Sequence, residues 1–555
     1  MKIIKERIMG GRLKLLRKWS GGGNCFYRGI GVCFFLLASV QMIAIVYINL
    51  TQMPYHMGYD ASAYYLKAAE IWKQKTLFIS HWAEQTTLEL DTSLPLASLF
   101  YGMSNHIFFA YGLANCCVIF ALAGVFYSIL KGLNYDCMVR WICLNFLLCP
   151  YITFVDNLND LGYFACMMTS FQAYGVKVLI ILMQLKAMLD LGEQKKNYFY
   201  LAVTSVLCFI TGLSSGYFVL AVGILPCFCW IIIKMFVNND IRILKTKQTA
   251  YLLVNMTMTV LGKLVAFKVL DFAAKDSSMR WMSLTSFWKN IGGMVLGYMQ
   301  LLSALPKHAD VDIMNIKLES ISLTYMFCLM LFIIMAGSLV LCIAGMKKRG
   351  YSWNINLFLT VLAENILLFS VLYTTYEGSI FESRYLIPSF MAVIVLAGYA
   401  IQNLKKDQIF TYAMLSVLLI GLVYVDYNSD KRYIQNKINS QILYEIADKA
   451  EETDSGIVYV WGNNLAVEAR NLRVYDLERV YKLMNDDGSF HHWGDYTYYD
   501  DGMDYTGPTM LICEIGAECV PAEVKEKYEL VSTVDCMEIY VAEDNGVYKA
   551  NHLEE

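Results

Sequence analysis

The 555-residue chain is poor in charge, in proline and in paired-cysteine motifs. Asp, Glu, Lys and Arg make up 17% of it, against about 25% in an ordinary soluble domain. With hydrophobic residues at 57%, gathered in runs of spanning length, the deficit excludes a soluble globular protein. Eight prolines exclude a proline-rich linker or a collagen-like tract. No internal repeat shows. No CxxC pair occurs, which argues against a zinc site of the usual spacing. No phosphate-cradling P-loop, GxSxG or HExxH string is present. Thirteen of the 16 cysteines lie at or before Cys342, mostly within apolar runs, where cysteine acts as a small apolar residue. The other three, Cys513, Cys519 and Cys536, allow one pair and a free thiol.

The apolar runs carry the fold. The first, Gly29 to Leu50, exceeds the roughly 7–15 residues of a signal-peptide core and reads as a retained anchor. Lys2, Lys5, Arg7, Arg12, Lys14, Arg17, Lys18 and Arg28 precede it against one acid, Glu6. The positive-inside rule therefore places residues 1–28 in the cytoplasm. Spans are expected at 29–50, 107–130, 137–155, 164–189, 198–213, 216–236, 249–270, 321–345, 352–374, 385–403 and 409–427. That is about 11 helices of roughly 20 residues. The run 198–236 is split at Thr211–Gly216, a break signal. Every second connection is basic, which sets the alternation and sends the C-terminus outside.

The expected organisation is a cytoplasmic segment 1–28, a membrane domain 29–428 and an extracytoplasmic domain 429–555. Two outer connections, 51–106 and 271–320, are long and rich in Trp and Tyr. Within them, 61–75 and parts of 280–303 read as helices lying along the surface. In the tail, 441–449 and 522–528 read as helices, and 457–461, 509–513 and 537–541 as strands, which makes a small α/β domain. The stretch 485–507 reads as a polar loop.

Asp60 lies about ten residues past the first span, in Gly58-Tyr59-Asp60-Ala61-Ser62-Ala63-Tyr64-Tyr65, and opens a surface helix. A carboxylate there also caps a helix start, which is the plainer role. Asp156 and Asp160 sit in the next outer loop, where Asp and Asn favour turns. Glu382, Arg384 and Tyr385 sit at the outer mouth of a late span. Guanidinium suits phosphate there, with an interfacial ion pair as the alternative. Lys263, Lys268 and Glu364 fall within apolar spans, where a charge costs about 2.5–3.5 kcal/mol at mid-bilayer and seeks a partner. Lys263 and Glu364 are expected to pair, and Lys268 lies near the outer end. Asp310 with Asp312, and His491-His492 in the tail, read as polar loops rather than metal sites.

The order Asp60…Tyr64-Tyr65…Ala68-Ala69-Glu70-Ile71-Trp72, then Leu94-Pro95-Leu96, then Glu382-Ser383-Arg384-Tyr385-Leu386-Ile387-Pro388 resembles the GT-C glycosyltransferases. The resemblance is to the bacterial branch related to protein mannosyltransferases and aminoarabinose transferases, over about 1–430. The doubled proline of that family's second stretch is absent here. The resemblance implies a GT-C-like fold and a multi-pass place in the cell membrane. It implies transfer of a sugar from a polyprenyl-phosphate donor to an envelope glycan, lipid or protein, with no role for nucleic acid. Asp60 would be the general base, and Asp156 and Asp160 would hold acceptor or metal. Arg384, Tyr385, Glu382 and Lys268 would hold the donor phosphate, and inversion is expected. No cofactor is required by the sequence; a divalent cation is the one the resemblance admits. Two other readings stay open at this point: a transporter or flippase of lipid-linked glycans, and a non-catalytic scaffold whose tail binds cell-wall polymer.

Overall fold

The computed structural model describes residues 2–547 apart from 80–81, 83–86, 153–161, 196, 271–279, 282–286, 306–321, 350–351, 374–382, 405–408, 438–439, 463–465, 486–504 and 517–519, with backbone alone over 2–25. Among the described residues nine helices are long and apolar enough to cross a membrane. They lie in α1 (Lys2–Thr51), α4 (Ile107–Gly132), α8 (Tyr198–Ser215), α9 (Leu225–Asn238), α10 (Lys247–Lys268), α12 (Leu323–Arg349), α13 (Trp353–Val371), α14 (Ile387–Gln402) and α15 (Ile409–Gln435). The chain is a multi-pass membrane protein.

Two expected spans take other forms. The run 137–155 becomes α5 (Cys137–Leu148), only 12 residues long. Pro150 follows, and a proline pushes the residue before it out of helical geometry; Cys149 is extended at ψ 128°. The run 164–189 is broken into α6 (Tyr163–Met168) and α7 (Gly175–Gly192). Ser170 and Gln172 between them take positive φ, +52° and +48°.

An unwound stretch inside a membrane protein needs partners for its backbone groups. Here buried amides supply them. Asn49 of α1 donates to the Met168 carbonyl at 2.8 Å, and Asn115 of α4 donates to Ser170 O at 2.9 Å and Asn49 Oδ1 at 3.0 Å. Gln172 Nε2 returns to Asn115 O and Met167 O, each at 3.2 Å. Asn365 does the same for a π-turn ahead of α9, donating to Val222 O at 3.1 Å.

Helices α8 and α10 pack closely along their length. A Cβ on Gly212 would stand 2.0 Å from Thr259 O, and one on Gly262 2.1 Å from Phe209 O, so the two backbones touch through a small-residue seam. Gly216 ends the α8 run at φ +66°, where the sequence places the break.

Surface helices α2 (Tyr59–Gln74) and α3 (Leu94–Ser104) lie against each other and α4, and α11 (Phe287–Leu301) lies against α13. A two-residue ladder joins β1 (Arg280–Trp281) antiparallel to β2 (Leu372–Tyr373). The tail holds a five-stranded sheet in the order β4-β3-β5-β7-β6, made of β3 (Ile457–Trp461), β4 (Val480–Met484), β5 (Thr509–Glu514), β6 (Glu529–Val534) and β7 (Met537–Ala542). Strands β4, β3 and β5 run parallel, while β7 and β6 are antiparallel additions. Alternation along β3 sends Val458 and Val460 to one face, under α16 (Ser440–Glu452) and α17 (Ala466–Tyr475). Ile457, Tyr459 and Trp461 go to the other, with Val524 of α18 (Ala522–Lys525) and Tyr528. Cys513 is buried and Cys536 exposed; Cys519 lies outside the described residues.

Gly212→Leu should destabilise the purified protein by about 1–3 kcal/mol or more, read as a lowered thermal midpoint, since the backbone contact cannot widen cheaply. Gly124→Leu, where an added Cβ meets nothing within 4 Å, should leave the midpoint unchanged.

Candidate active site

Helix α2 presents Asp60, Tyr64 and Lys67 at i, i+4 and i+7, on one stripe. Gly58 is its N-cap and makes no side-chain cap, so Asp60 in the first turn brings the only carboxylate there. Asp60 is half-buried. Tyr64 stacks on Phe171 of the unwound α6–α7 stretch at 4.1 Å between ring centroids. Lys67 is fully buried. A buried ammonium needs an anion, and the segment before α3 provides it. Lys67 Nζ meets Glu89 Oε2 at 3.3 Å and the Leu88 carbonyl at 3.3 Å.

That segment reads Leu88-Glu89-Leu90-Asp91. Its leucines pack on Leu213 of α8 and Ala266 of α10, and its acids turn inward. Glu89 takes φ +65°, a left-handed conformation rare outside glycine. Ser214 at the end of α8 fixes the segment from both sides. Its hydroxyl accepts from Leu90 N at 3.0 Å and donates to Asp91 Oδ1 at 2.7 Å, and its carbonyl accepts from Leu88 N at 3.3 Å. Lys177 of α7, one turn past the break, reaches Asp91 Oδ1 at 3.5 Å and hydrogen-bonds Ala173 O at 2.8 Å. Asp91 Oδ2 is buried without a hydrogen-bond partner.

The tail enters the same cluster. Helix α17 packs on α2, with Val474 in the apolar group that holds Met57, Ala61 and Tyr65. Arg470, one turn before Val474, is buried and acts on Glu89. The Tyr475 hydroxyl donates to the Pro54 carbonyl, and its ring lies 5.2 Å from Phe108. Burial pushes the Glu89 carboxyl up, with Lys67, Arg470 and Lys177 pulling against it. Burial also pushes the Tyr64 phenol well up, reinforced by Glu89, Asp60, Tyr111 and Asp91. Tyr64 thus sits in the field of three acids from two segments.

Arg384 and Tyr385 occupy a 3-10 turn, Ser383–Leu386, ahead of α14. Tyr385 meets Tyr174 edge-on at 6.3 Å, and Lys177 Nζ lies 5.7 Å from the Tyr174 ring, so the Arg-Tyr turn connects to the cluster through one aromatic. Lys268 is exposed at the end of α10, 4.9 Å from the ring of its neighbour Phe267, outside the described cluster. Asp156, Asp160, Glu382, Asp310, Asp312, His491 and His492 lie outside the described residues. The expected Lys263–Glu364 pair does not form: Lys263 reaches toward Gly216 on the α8 side, and Glu364 accepts from Asn365 at 3.3 Å. Depth alone does not bring two helices face to face.

Sequence reading passed over Lys67, Glu89, Asp91, Lys177 and Arg470. One signal was available. Strict alternation in Thr87-Leu88-Glu89-Leu90-Asp91 puts two acids on one side of an extended segment, and a face lined by membrane-domain helices is a poor place for solvated charge. Arg470 carries no comparable signal, since only the docking of α17 brings it there.

His56, in the 3-10 turn Met53–His56, seals the seam with α15. Its Nε2–H donates to the Tyr433 carbonyl at 2.7 Å and the two rings lie 3.7 Å apart. Burial lowers its pKa to about 4, the Tyr433 bond opposing this.

Two predictions follow from this geometry. The folded His56 stays neutral while the unfolded chain takes a proton near pH 6.5, so stability falls as pH drops from 6.5 and levels off below about 4. The loss is about 3 kcal/mol, measurable as a pH-dependent thermal midpoint that flattens in His56→Gln. For the ion pair, Lys67→Met alone should cost about 3–5 kcal/mol by stranding Glu89, and adding Glu89→Leu should recover most of it in a thermal-unfolding double-mutant cycle.

By sequence, no family profile and no curated protein match the chain. By structure, it is similar to ArnT, an aminoarabinose transferase, from Cupriavidus metallidurans in the apo state, with TM-score 0.56 and 11% identity over 91% of this chain and 97% of that one. The same enzyme bound to undecaprenyl phosphate gives TM-score 0.51 and 10% identity over the same shares. An oligosaccharyltransferase of Archaeoglobus fulgidus in complex with zinc and sulfate gives TM-score 0.46 and 12% identity, over 86% of this chain and 68% of that one. The chain shares the fold of these ArnT structures.

Proposed function

We propose that the chain is a membrane glycosyltransferase that moves a sugar from a polyprenyl-phosphate donor to an acceptor hydroxyl, on the membrane face that bears α2 and the tail sheet. The observation that carries this reading is the α2 stripe. Half-buried Asp60 lies beside Tyr64 and the buried Lys67–Glu89 and Lys177–Asp91 pairs, within the fold of an enzyme solved with undecaprenyl phosphate. The charge asymmetry of the first span puts that face outside the cell membrane and the N-terminus in the cytoplasm, so the acceptor is a component of the envelope.

In this mechanism Asp60 is the general base. The acceptor oxygen attacks the anomeric carbon, its proton passes to the Asp60 carboxylate, and the bond from the anomeric carbon to the phosphate oxygen breaks. The electron pair leaves with polyprenyl phosphate, already a stable anion, so no second acid is needed. One in-line displacement through an oxocarbenium-like state inverts the centre. Arg384, with Tyr385, Glu382 and Lys268, is assigned to the donor phosphate, and Asp156 and Asp160 to the acceptor. Among the described residues no three His, Cys, Asp or Glu side chains gather to hold a metal ion, and Glu89 and Asp91 each already face a lysine.

Purified protein in vesicles carrying a polyprenyl-phosphate sugar and a soluble hydroxyl acceptor should form a glycoside of inverted configuration, read by NMR. Asp60→Asn should lower the rate by about 10²–10⁴ without changing the thermal midpoint. A retained configuration, or an unchanged rate in Asp60→Asn, contradicts the assignment of Asp60.

A further inference from the structure

Helix α17 carries a polar side chain that its seam with α2 leaves unsatisfied. Asn471 is fully buried, and among the described residues neither its amide oxygen nor its amide nitrogen has a hydrogen-bond partner. Its place on the helix fixes what it faces. Residues three and four apart share a helix face, and Asn471 stands three before Val474 and four before Tyr475. Both of those touch the membrane domain. Val474 lies in the apolar group of Met57, Ala61 and Tyr65, and Tyr475 donates to the Pro54 carbonyl and packs 5.2 Å from Phe108. Leu472 turns the other way, into the core under the tail sheet. The Asn471 amide is thus enclosed in the seam between α17 and the membrane domain.

Burying an amide without partners costs its whole hydration. Docking of α17 carries that penalty, and it lifts when α17 leaves α2 and water reaches Asn471. The rest of the contact is small. Among the described residues the tail rests on the membrane domain chiefly through α17 on α2 and α16 on the Met53–His56 turn, with Lys437, just past α15, 3.9 Å over the Tyr55 ring. The tail has apolar cores of its own on both faces of its sheet, so it holds together without that contact. Units with separate cores and a small seam move relative to one another.

We propose that α17 is a reversible clasp, which docks on α2 through Val474 and Tyr475 and lifts off to hydrate Asn471. Lifting bares the face of Met57, Ala61 and Tyr65 and withdraws Arg470 from Glu89. The tail in this way sets both the cover and the charge beside the α2 stripe. The clasp rests on packing alone and is independent of the glycosyl-transfer reading.

The test is labelling of the full chain in lipid nanodiscs by a water-soluble maleimide. Val474→Cys supplies the reporter thiol, and peptide mass spectrometry separates it from the native cysteines. Val474 is buried in the seam and Cys513 in the tail sheet, so lifting exposes the first and only unfolding of the tail exposes the second. The reporter should label while Cys513 stays protected. Adding Asn471→Leu keeps the branched shape without the unpaired amide, and should slow the reporter about tenfold. Adding Asn471→Asp puts a charge in the same shape and should speed it about tenfold or more. Adding Tyr475→Phe removes the bond to Pro54 and should speed it about three- to tenfold. Reporter labelling no faster than that of Cys513 means a fixed seam or an unfolding tail, and overturns the proposal. Labelling that Asn471→Leu leaves unchanged or speeds overturns it too.

Discussion

Buried charge on the α2 face is answered by opposite charge from elsewhere in the chain, and the shape of that face follows from this constraint. Lys67 on a surface helix has no water to solvate it, so the segment before α3 bends through a left-handed Glu89 to meet it. Asp91, two residues on, then falls where Lys177 and Ser214 reach it. Removing either partner strands an ion in a low dielectric, a cost of several kcal/mol, whereas the intact pairs contribute little net stability. Such pairs specify an arrangement more than they strengthen it. Here the arrangement brings together α2, the α3 lead-in, the end of α8 and the start of α7, and it sets the surroundings of Asp60.

The same economy of partners explains the broken helix. Residues 169–174 leave the helix and expose backbone groups that a bilayer cannot satisfy. Asn49 and Asn115 satisfy them from α1 and α4. The break in turn places Phe171 under Tyr64 and starts α7 so that Lys177 lies over the cluster. A fully helical 164–189 would carry Lys177 along a straight rod, without the left-handed turns that re-aim it.

The membrane class, the helices α2 and α11, the break at Gly216 and the presence of a small α/β tail were legible in the sequence. Long apolar runs and charge asymmetry are one-dimensional signals, and they survive folding unchanged. The shortening of 137–155 was also legible in principle, through Pro150. The break in 164–189 was not, because Phe-Ala-Cys-Met-Met is as apolar as a spanning helix and its interruption depends on amides from two distant helices. Strands β4 and β6 and helix α17 were missed in the tail. The solvent-facing Glu529–Val534 strand lacks an apolar period, and α17 buries Leu472 on one side and Val474 on the other. The docking of α17 brings Arg470 to Glu89, and no local pattern encodes that contact.

Chemical transfer from a lipid-linked sugar at Asp60 leaves a signature in the lipids and glycans of the cell. The most direct measurement is mass spectrometry of lipids and envelope glycans from cells carrying the wild-type chain, Asp60→Asn at matched membrane abundance, or no chain. The account predicts that Asp60→Asn matches the deletion, with one sugar lost from an envelope glycan and its polyprenyl-phosphate form accumulating. If the deletion changes the glycans while Asp60→Asn behaves as wild type, Asp60 is not the base, and transport of the lipid-linked sugar becomes the better account of the fold.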